Sequence, residues 1–113
     1  MALQKEIELE NGVILNYHRI VSLNKITNVS NNIEVNSYTS EKQREKEKRY
    51  QELQKKSASG EELTEEEKEE LNKGINVLIE ADFIETEYNP EMTIETAYEY
   101  LKTTEKYKNA VNI

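Results

Sequence analysis

The segment 41–73 constrains the fold more than any other part of the chain, because it is almost entirely charged or polar and it interrupts an alternating, strand-like sequence. Its first part, 41–56, holds seven Lys or Arg against four Glu, a net charge of +3. Its second part, 61–73, holds seven Glu against two Lys, a net charge of −5. This composition predicts an arm on a small β-rich body.

Helix-capping signals divide this arm into two helices. The stretches SEKQ at 40–43 and TEEE at 64–67 both fit the capping box, in which an N-cap hydroxyl accepts from the N3 amide and the N3 side chain reaches back to the N-cap. Residues 57–60 separate the two stretches, and Gly74 stands where a C′ glycine would end the second helix. Because adjacent helices of opposite charge attract each other, we predict an αα-hairpin that folds back on itself.

The rest of the chain, 1–40 and 75–113, carries enough Ile, Val, Leu and Tyr for one modest core. At 113 residues the chain is predicted to be a single domain, made of this body and the arm 41–74. Cysteine is absent, which excludes disulfides, thiolate nucleophiles and cysteine-ligated zinc. The N-terminus has no apolar signal region and no apolar run is long enough to cross a bilayer, so we expect a soluble protein that is made in the cytoplasm and has no membrane partner.

Alternation of apolar and polar residues predicts the strands of the body. The predicted strands are 3–9, 13–23, 26–30, 33–39 and 75–88, and the turn signals between the first four are Asn11-Gly12, Asn24-Lys25 and Asn31-Asn32. Tight turns between consecutive strands predict an antiparallel meander in which the fifth strand pairs with 33–39. The arm is then an insertion at a hairpin tip, between strands four and five, where added length costs little and the arm projects from the body.

A C-terminal helix is predicted after the break at Asn89-Pro90. Thr93 is a good N-cap, and the apolar residues behind it recur at i, i+3, i+4 and i+7, the spacing of an amphipathic helix. These residues are Ile94, Ala97, Tyr98 and Leu101. The residues Tyr107, Ala110 and Val111 are expected to form a last turn or a docked tail. The predicted fold class is α+β: an antiparallel β-meander of about five strands, a charged helical-hairpin insertion, and a C-terminal helix packed on the sheet.

The residues that common catalytic and metal sites need are not assembled in this sequence. His18 is the only histidine, it lies in the middle of a predicted strand, and nothing near it completes a catalytic triad. The three glycines form no phosphate-binding loop, and the acidic run 61–70 lacks the pattern of a calcium-binding loop. We therefore predict no enzymatic activity, no cofactor and no metal. A net charge of −8 also disfavours nucleic acid as a partner.

Tyrosine is the over-represented aromatic residue, with seven in the chain. Tyr17, Tyr38 and Tyr98 are expected to pack on the sheet or in the helix stripe. Tyr50 on the arm and Tyr100 on the other side of the C-terminal helix have no predicted core position. Exposed tyrosines are common in protein interfaces, although an ordinary amphipathic rim is the alternative. The candidate protein-contact residues are Tyr50, Leu53, Tyr100, Glu66 and Glu70.

Several stretches of the body resemble a known group of proteins. They are IxLxNG at 7–12 leading into NYHRI at 16–20, IEVNSYTS at 33–40, and AYEYLK at 97–102. In these stretches the chain resembles the small proteins encoded among the tail and baseplate genes of phages and prophages of Gram-positive bacteria. The resemblance implies a structural or accessory component of a phage particle that acts by protein–protein contact and is located in the virion after assembly. In that group the segment between the fourth and fifth strands is usually shorter and less charged, so the arm is a departure.

Two functional hypotheses follow from the sequence. The first is a non-enzymatic phage or prophage structural or accessory protein, whose partners are tail proteins or further copies of itself in a homo-oligomer. The alternative is an acidic regulatory binding protein, or nucleic-acid mimic, that sequesters a partner protein through the run 61–70. Salt separates the two, since binding by charge weakens steeply as salt rises and assembly through apolar contacts does not.

Overall fold

In a computed structural model of the chain, which describes residues 1–74 and 79–113, a five-stranded sheet is combined with three helices. In chain order the elements are β1 Leu3–Glu8, β2 Ile14–Ile26, β3 Ser30–Tyr38, α1 Glu41–Ala58, α2 Glu65–Lys73, β4 Ile79–Glu87, α3 Ile94–Leu101 and β5 Val111–Asn112. The first part of the predicted fifth strand, 75–78, lies outside the described residues.

All neighbouring strands of the sheet are antiparallel, and their order is β4-β3-β2-β1-β5. The predicted α+β class, with a meander of about five strands, an inserted helical hairpin and a C-terminal helix on the sheet, is thereby confirmed. The five strands differ from the predicted ones in two respects. Three strands rather than four precede the arm, so the hairpin is inserted between the third and fourth strands. The last strand is β5 in the C-terminal tail, which pairs with β1 at Leu3 and Gln4.

The turns predicted at 24–25 and 31–32 are wrong, because these two segments pair with each other inside the ladder between β2 and β3. Asparagine in these positions is an ordinary strand residue whose backbone is held by its cross-strand partner. The chain instead turns once, at 27–29, where Asn28 has a φ of 60°. Asparagine tolerates this left-handed conformation better than most residues, so the turn uses the expected chemistry at a different asparagine.

The helix α3 and the tail behind it pack on one face of the sheet and enclose the main core. The buried residues of this core are Leu3, Ile20, Ile33, Val35, Met92, Ala97, Tyr98, Leu101, Tyr107 and Ala110. The hydroxyl of Tyr98 accepts from the Ile20 amide at 2.8 Å and donates to the Met1 carbonyl at 3.0 Å, which joins the helix to the sheet. The predicted place of Ile94 in the apolar stripe is wrong, since Ile94 is 44% exposed. It is the first residue of the helix and lies beside a solvent-exposed capping box.

The opposite face of the sheet receives the start of the arm. Tyr17 of β2 and Tyr38 of β3 are cross-strand partners, and with Ala2 they form a second buried cluster. Their rings meet edge to face with centroids 5.8 Å apart. The predicted packing of these two tyrosines on the sheet is confirmed. The helix α1 begins shortly after Tyr38 and contacts both β2 and β3.

One of the two predicted capping boxes is present in the arm. At α2, Thr64 Oγ1 accepts from the Glu67 amide and a Glu67 carboxylate oxygen accepts from the Thr64 amide, both at 3.1 Å. The box predicted at α1 is wrong, because the Ser40 side chain makes no capping hydrogen bond. There the Gln43 amide donates to the Ser40 carbonyl at 3.1 Å, so the amide is satisfied without the hydroxyl.

Candidate protein-contact site

The arm folds as a helical hairpin in which the basic helix α1 lies beside the acidic helix α2, as the split charge predicts. The chain reverses near Gly60, whose φ of 82° lies in the left-handed region that glycine adopts at little cost. Lys56 Nζ lies 3.2 Å from a Glu67 carboxylate oxygen. Arg49 lies 3.6 Å from Glu70 and 4.0 Å from Glu67. These ion pairs all run from one helix to the other and hold the hairpin together.

Glu67 is the central group of this helix–helix contact. Its pKa is lowered from the ordinary value, first by the hydrogen bond from the Thr64 amide and next by the hydrogen bond from Lys56. One carboxylate therefore caps α2 and also pairs it with α1. The cations of the contact, Arg49 and Lys56, are about half exposed, so water and salt weaken these pairs.

A groove of about 530 Å³ lies on the arm, where α1 meets the end of α2. Among the described residues, Tyr50 and Leu53 supply the large apolar side chains of its lining, and Leu53 is only 1% exposed. The other lining residues are Lys42, Glu45, Lys46, Arg49, Glu70 and Gly74. The groove therefore combines an aromatic ring and a buried leucine with several cationic side chains of α1.

The structure brings three of the five candidate contact residues together, because Tyr50, Leu53 and Glu70 all line this groove. Leu53 is only 1% exposed, so its predicted role as a direct contact is wrong, and Tyr50 and Glu70 are the two that a partner can reach. Glu66 lies on the exposed surface of α2. Tyr100 was expected on the free side of α3, and this is wrong: it is half-buried and packs against the main core. The reason is that Tyr100 follows the buried Ala97 by three residues, so the two side chains share a flank of the helix.

A buried polar network fixes the first turns of α1 to the sheet. The Tyr38 hydroxyl donates to Glu47 Oε1 at 2.7 Å, and Arg44 forms an ion pair with the same oxygen. Arg19 Nε donates to the Tyr38 hydroxyl at 3.2 Å. Burial, and next the hydrogen bond to Glu47, raises the pKa of Tyr38, so its hydroxyl keeps the proton that it donates. Arg44 and Glu47 are each only 8% exposed, and buried charges of this kind require partners.

This network corrects the expectation that the arm simply projects from the body. The first half of α1 lies against the sheet, and its Arg44 and Glu47 are buried together with Tyr38 of β3. The polar composition of the arm gave no indication of this contact. The side chains that fix it are in fact the charged ones, paired with each other and with a tyrosine hydroxyl.

The chain matches no protein-family model, no curated protein and no solved structure. Within residues 1–74 and 79–113, no group of three or more His, Asp or Glu side chains is arranged to hold a metal ion. None of the helices in that part of the chain is long and apolar enough to cross a membrane. The resemblance to phage tail and baseplate proteins therefore rests on the sequence stretches named above.

Sequence reasoning missed one pair of chemically relevant residues, His18 and Ser37. They face each other across β2 and β3, and His18 Nδ1 lies 2.7 Å from Ser37 Oγ. His18 Nε2 lies 2.7 Å from the Lys5 carbonyl oxygen, which can only accept. Nε2 therefore carries the proton and Nδ1 accepts from the serine hydroxyl. The signal that could have found this pair is the β2–β3 register, which depends on the turn at 27–29 that sequence reasoning misplaced.

The His18–Ser37 pair is closed off from solvent. The exposure of His18 is 0% and that of Ser37 is 1%, and burial lowers the pKa of His18 so that its ring is neutral. The Tyr107 ring meets the imidazole edge to face at 5.4 Å, and its hydroxyl donates to Asp82 at 3.2 Å. Burial, and next the charge of Asp82, raises the pKa of Tyr107. Since a reactive serine must be reached by its substrate, we interpret these residues as packing that joins the tail to the sheet.

Proposed function

We propose that this chain is a non-enzymatic structural or accessory protein that works by binding another protein through its arm. The observation that carries the proposal is the groove lined by Tyr50 and Leu53. Aromatic and arginine side chains are enriched in protein interfaces, and the residues that dominate binding are usually aromatic or arginine anchors beside a pocket. Here Tyr50 and Arg49 are of those types and line the same groove.

The charges around the groove indicate the chemistry of the partner. Lys42 and Lys46 lie one helical turn apart and are exposed, and within the described residues neither takes part in an ion pair. Arg49 is already shared with Glu70. A partner segment that inserts an apolar side chain and carries carboxylates beside it would neutralise the two lysines. Complementary charge of this kind increases the association rate and selects among partners.

The proposed setting is the tail or baseplate region of a phage or prophage, and the proposed location after assembly is the virion. The sequence resemblance of 7–20, 33–40 and 97–102 supports this setting. A partner from the tail or baseplate would be a protein, which is the class of ligand that we propose for the groove. Further copies of this chain are the second partner that the proposal includes, because cyclic homo-oligomers are common among soluble assemblies.

Co-purification of the full-length chain with purified tail and baseplate proteins of its phage or prophage tests this proposal. We compare Tyr50→Ala with Tyr88→Ala, a matched change at another half-buried tyrosine that does not line the groove. Truncation of a central interface tyrosine costs more than about 1 kcal/mol, so Tyr50→Ala should reduce the retained partner at least about fivefold. Tyr88→Ala should leave it unchanged.

Two outcomes would contradict the proposal. If the wild-type chain retains none of the tail or baseplate proteins and light scattering shows a monomer, the proposed setting is wrong. If both tyrosine variants retain the partner equally, the groove is not the binding site. A concentration-dependent oligomer that Tyr50→Ala dissociates would instead identify a second copy as the occupant of the groove.

A second function, sequestration of a basic partner by an acidic mimic of nucleic acid, is favoured by the outer surface of α2. Glu65, Glu66 and Glu69 are exposed there, and Lys68 pairs with Glu65 at 3.4 Å. Binding through these carboxylates should weaken more than about tenfold between roughly 50 and 200 mM salt, whereas binding through an apolar groove should change little. Glu66→Gln should weaken only the mimic, so this variant separates the two functions.

A further inference from the structure

The strand β4 forms one edge of the sheet. All nine residues of β4 pair with β3, from Ile79 opposite Tyr38 to Glu87 opposite Ser30. In the part of the chain that the structure describes, no strand pairs with the other side of β4. The outward amide and carbonyl groups of an edge strand are a template for a further strand.

The opposite edge of the sheet is different, because the chain covers part of it with its own C-terminus. There β5 pairs with β1 at Leu3 and Gln4. Ile113 adds two reciprocal backbone hydrogen bonds with Ala2, at 3.0 and 3.2 Å. The edge formed by β4 is therefore the longer open edge among the described strands.

The side chain of Phe83 lies in the middle of β4 and is 73% exposed. Its cross-strand neighbour is Glu34 of β3, whose carboxylate accepts from Ser22 at 3.2 Å. Nothing in this neighbourhood covers the ring within the described residues. A large aromatic side chain at the centre of an open edge would pack against an apolar side chain on an added strand, as cross-strand pairs do.

Four carboxylates lie along the same strand, and they differ in how they are paired. Glu80 and Asp82 contact Lys106 of the C-terminal tail, at 3.3 and 3.2 Å. Glu85 and Glu87 are exposed and lie on the same face of β4 as Phe83, which is the face opposite Glu80 and Asp82. No ion pair of the described residues includes either of them. The exposed end of the β4 edge is therefore negative and not neutralised.

This charge distribution discriminates between two occupants of the edge. A second copy that paired through its own β4, antiparallel and centred on Phe83, would set Glu85 opposite Ala81 and Glu87 opposite Ile79, so no carboxylate would gain a cationic partner. The carboxylates of two such strands would add to the negative charge of the edge, and charged side chains on an edge strand are a common protection against self-pairing. A basic strand from another protein would meet opposite charges instead.

We propose that β4 binds an extended basic segment of a partner protein as an additional antiparallel strand. An apolar side chain of that segment packs against Phe83, and Lys or Arg side chains lie opposite Glu85 and Glu87. Backbone hydrogen bonds supply affinity that does not depend on the sequence of the segment, and these side chains supply the specificity. This surface is separate from the groove on the arm, so the proposal does not depend on the proposed function.

The test uses the full chain and a short capped synthetic peptide. The peptide carries lysine opposite Glu87 and Glu85, valine opposite Phe83 and Ala81, and threonine at the intervening positions. On titration we expect shifts of the backbone amide signals of β4 in nuclear magnetic resonance spectra, together with slower hydrogen exchange of its outward amides. Two N-methylated forms of the peptide, each lacking the amide hydrogens of alternate residues, test strand pairing. Because an added strand pairs through one of its edges, one form should bind and the other should not.

Protein variants test the side-chain part of the proposal. Phe83→Thr should weaken peptide binding by up to about fivefold, which is the range of a cross-strand pair. Glu85→Lys combined with Glu87→Lys should weaken it at least about threefold. The matched control, Glu65→Lys combined with Glu69→Lys on α2, makes the same change in net charge and should have little effect. Tyr50→Ala in the groove should also have no effect, so this test is independent of the proposed function.

Several results would overturn the proposal. Equal binding of both N-methylated peptides would show attraction by charge without strand pairing. Equal losses in the β4 variant and the α2 control, or amide shifts confined to α2, would place the peptide elsewhere. A dimer that forms through β4 in the absence of peptide would show that a second copy, not a basic segment, occupies this edge.

Discussion

Removal of the Glu47 carboxylate should destabilise the protein far more than removal of an exposed carboxylate from the same helix. In Glu47→Ala the Tyr38 hydroxyl loses the acceptor at 2.7 Å, and the buried Arg44 guanidinium loses the anion with which it is paired. A hydrogen bond to a charged group contributes about 1.5–3 kcal/mol, and removal of one partner from a buried ion pair costs about 3–5 kcal/mol. Because the two contributions overlap, we expect the free energy of unfolding to fall by about 3–5 kcal/mol in total.

Urea unfolding followed by circular dichroism measures this loss. The matched control is Glu45→Ala, since Glu45 is on the same helix, is 60% exposed and pairs with the exposed Lys48 at 3.5 Å. It should change the free energy of unfolding by less than about 0.5 kcal/mol. The double variant Arg44→Met with Glu47→Leu removes both charges and keeps apolar volume, so it should recover the part of the loss that comes from the unpaired Arg44 guanidinium. The Tyr38 hydroxyl still lacks its acceptor in this variant. Small domains are stable by only about 5–15 kcal/mol, so the single variant should shift the urea midpoint clearly.

Two results would refute this reasoning. If Glu47→Ala costs no more than Glu45→Ala, the polar network does not fix α1 to the sheet. If the double variant is as unstable as Glu47→Ala, the loss does not come from the unpaired Arg44 guanidinium.

Three further outcomes follow from individual polar side chains. Thr64→Ala should lower the free energy of unfolding, measured in urea, by about 1 kcal/mol because it removes the side-chain cap of α2. Ser40→Ala should have almost no effect in the same assay, because the Ser40 side chain makes no capping hydrogen bond. The pKa of His18 is lowered from 6.5 in the folded protein, so the unfolded chain binds a proton first as the pH falls. The neutral His18 ring therefore contributes fully to stability above about pH 6.5, and this contribution is lost as the pH falls below that value. In His18→Gln, the difference in free energy of unfolding between about pH 7.5 and pH 5.5 should be smaller than in the wild-type protein. Tyr98→Phe should cost about 1–3 kcal/mol in urea unfolding, because it leaves the buried Ile20 amide without its acceptor, and a cost near zero would contradict the bond.

The arm could be predicted from sequence because its signals are local. The charge of each half is a property of consecutive residues, and the box at Thr64 joins residues within one helical turn. The same holds for the α3 stripe, where Ala97, Tyr98 and Leu101 are buried as predicted. The predictions that failed also rested on local signals, but pairing between distant parts of the chain overrides those signals. Asparagines at 24 and 31–32 have turn propensity, yet the ladder between β2 and β3 holds them in extended strands.

The sequence predicted only part of the candidate site, for a related reason. Composition placed Tyr50 and Glu70 on the arm, but their common groove depends on how α1 and α2 lie side by side. The network of Tyr38 with Glu47 joins a strand residue to a helix residue, and no residue spacing predicts which of the many glutamates accepts from which hydroxyl. The pair of His18 with Ser37 required the correct register, which the two wrongly predicted turns at 24–25 and 31–32 concealed.

The two helices of the arm are held by different kinds of interaction, so ionic strength should act on them differently. The first half of α1 is held by buried charges that salt reaches poorly, whereas α2 has no buried residue and is joined to α1 by the solvent-accessible pairs of Arg49 and Lys56. At physiological ionic strength such exposed charges are screened over about 8 Å, and over less as salt rises. Spin labels on α1 and α2 should therefore show a distance distribution that broadens with added salt, while the distribution between α1 and β3 stays narrow. Added salt would thus widen the groove from the α2 side, so the ions around the protein help to set its shape.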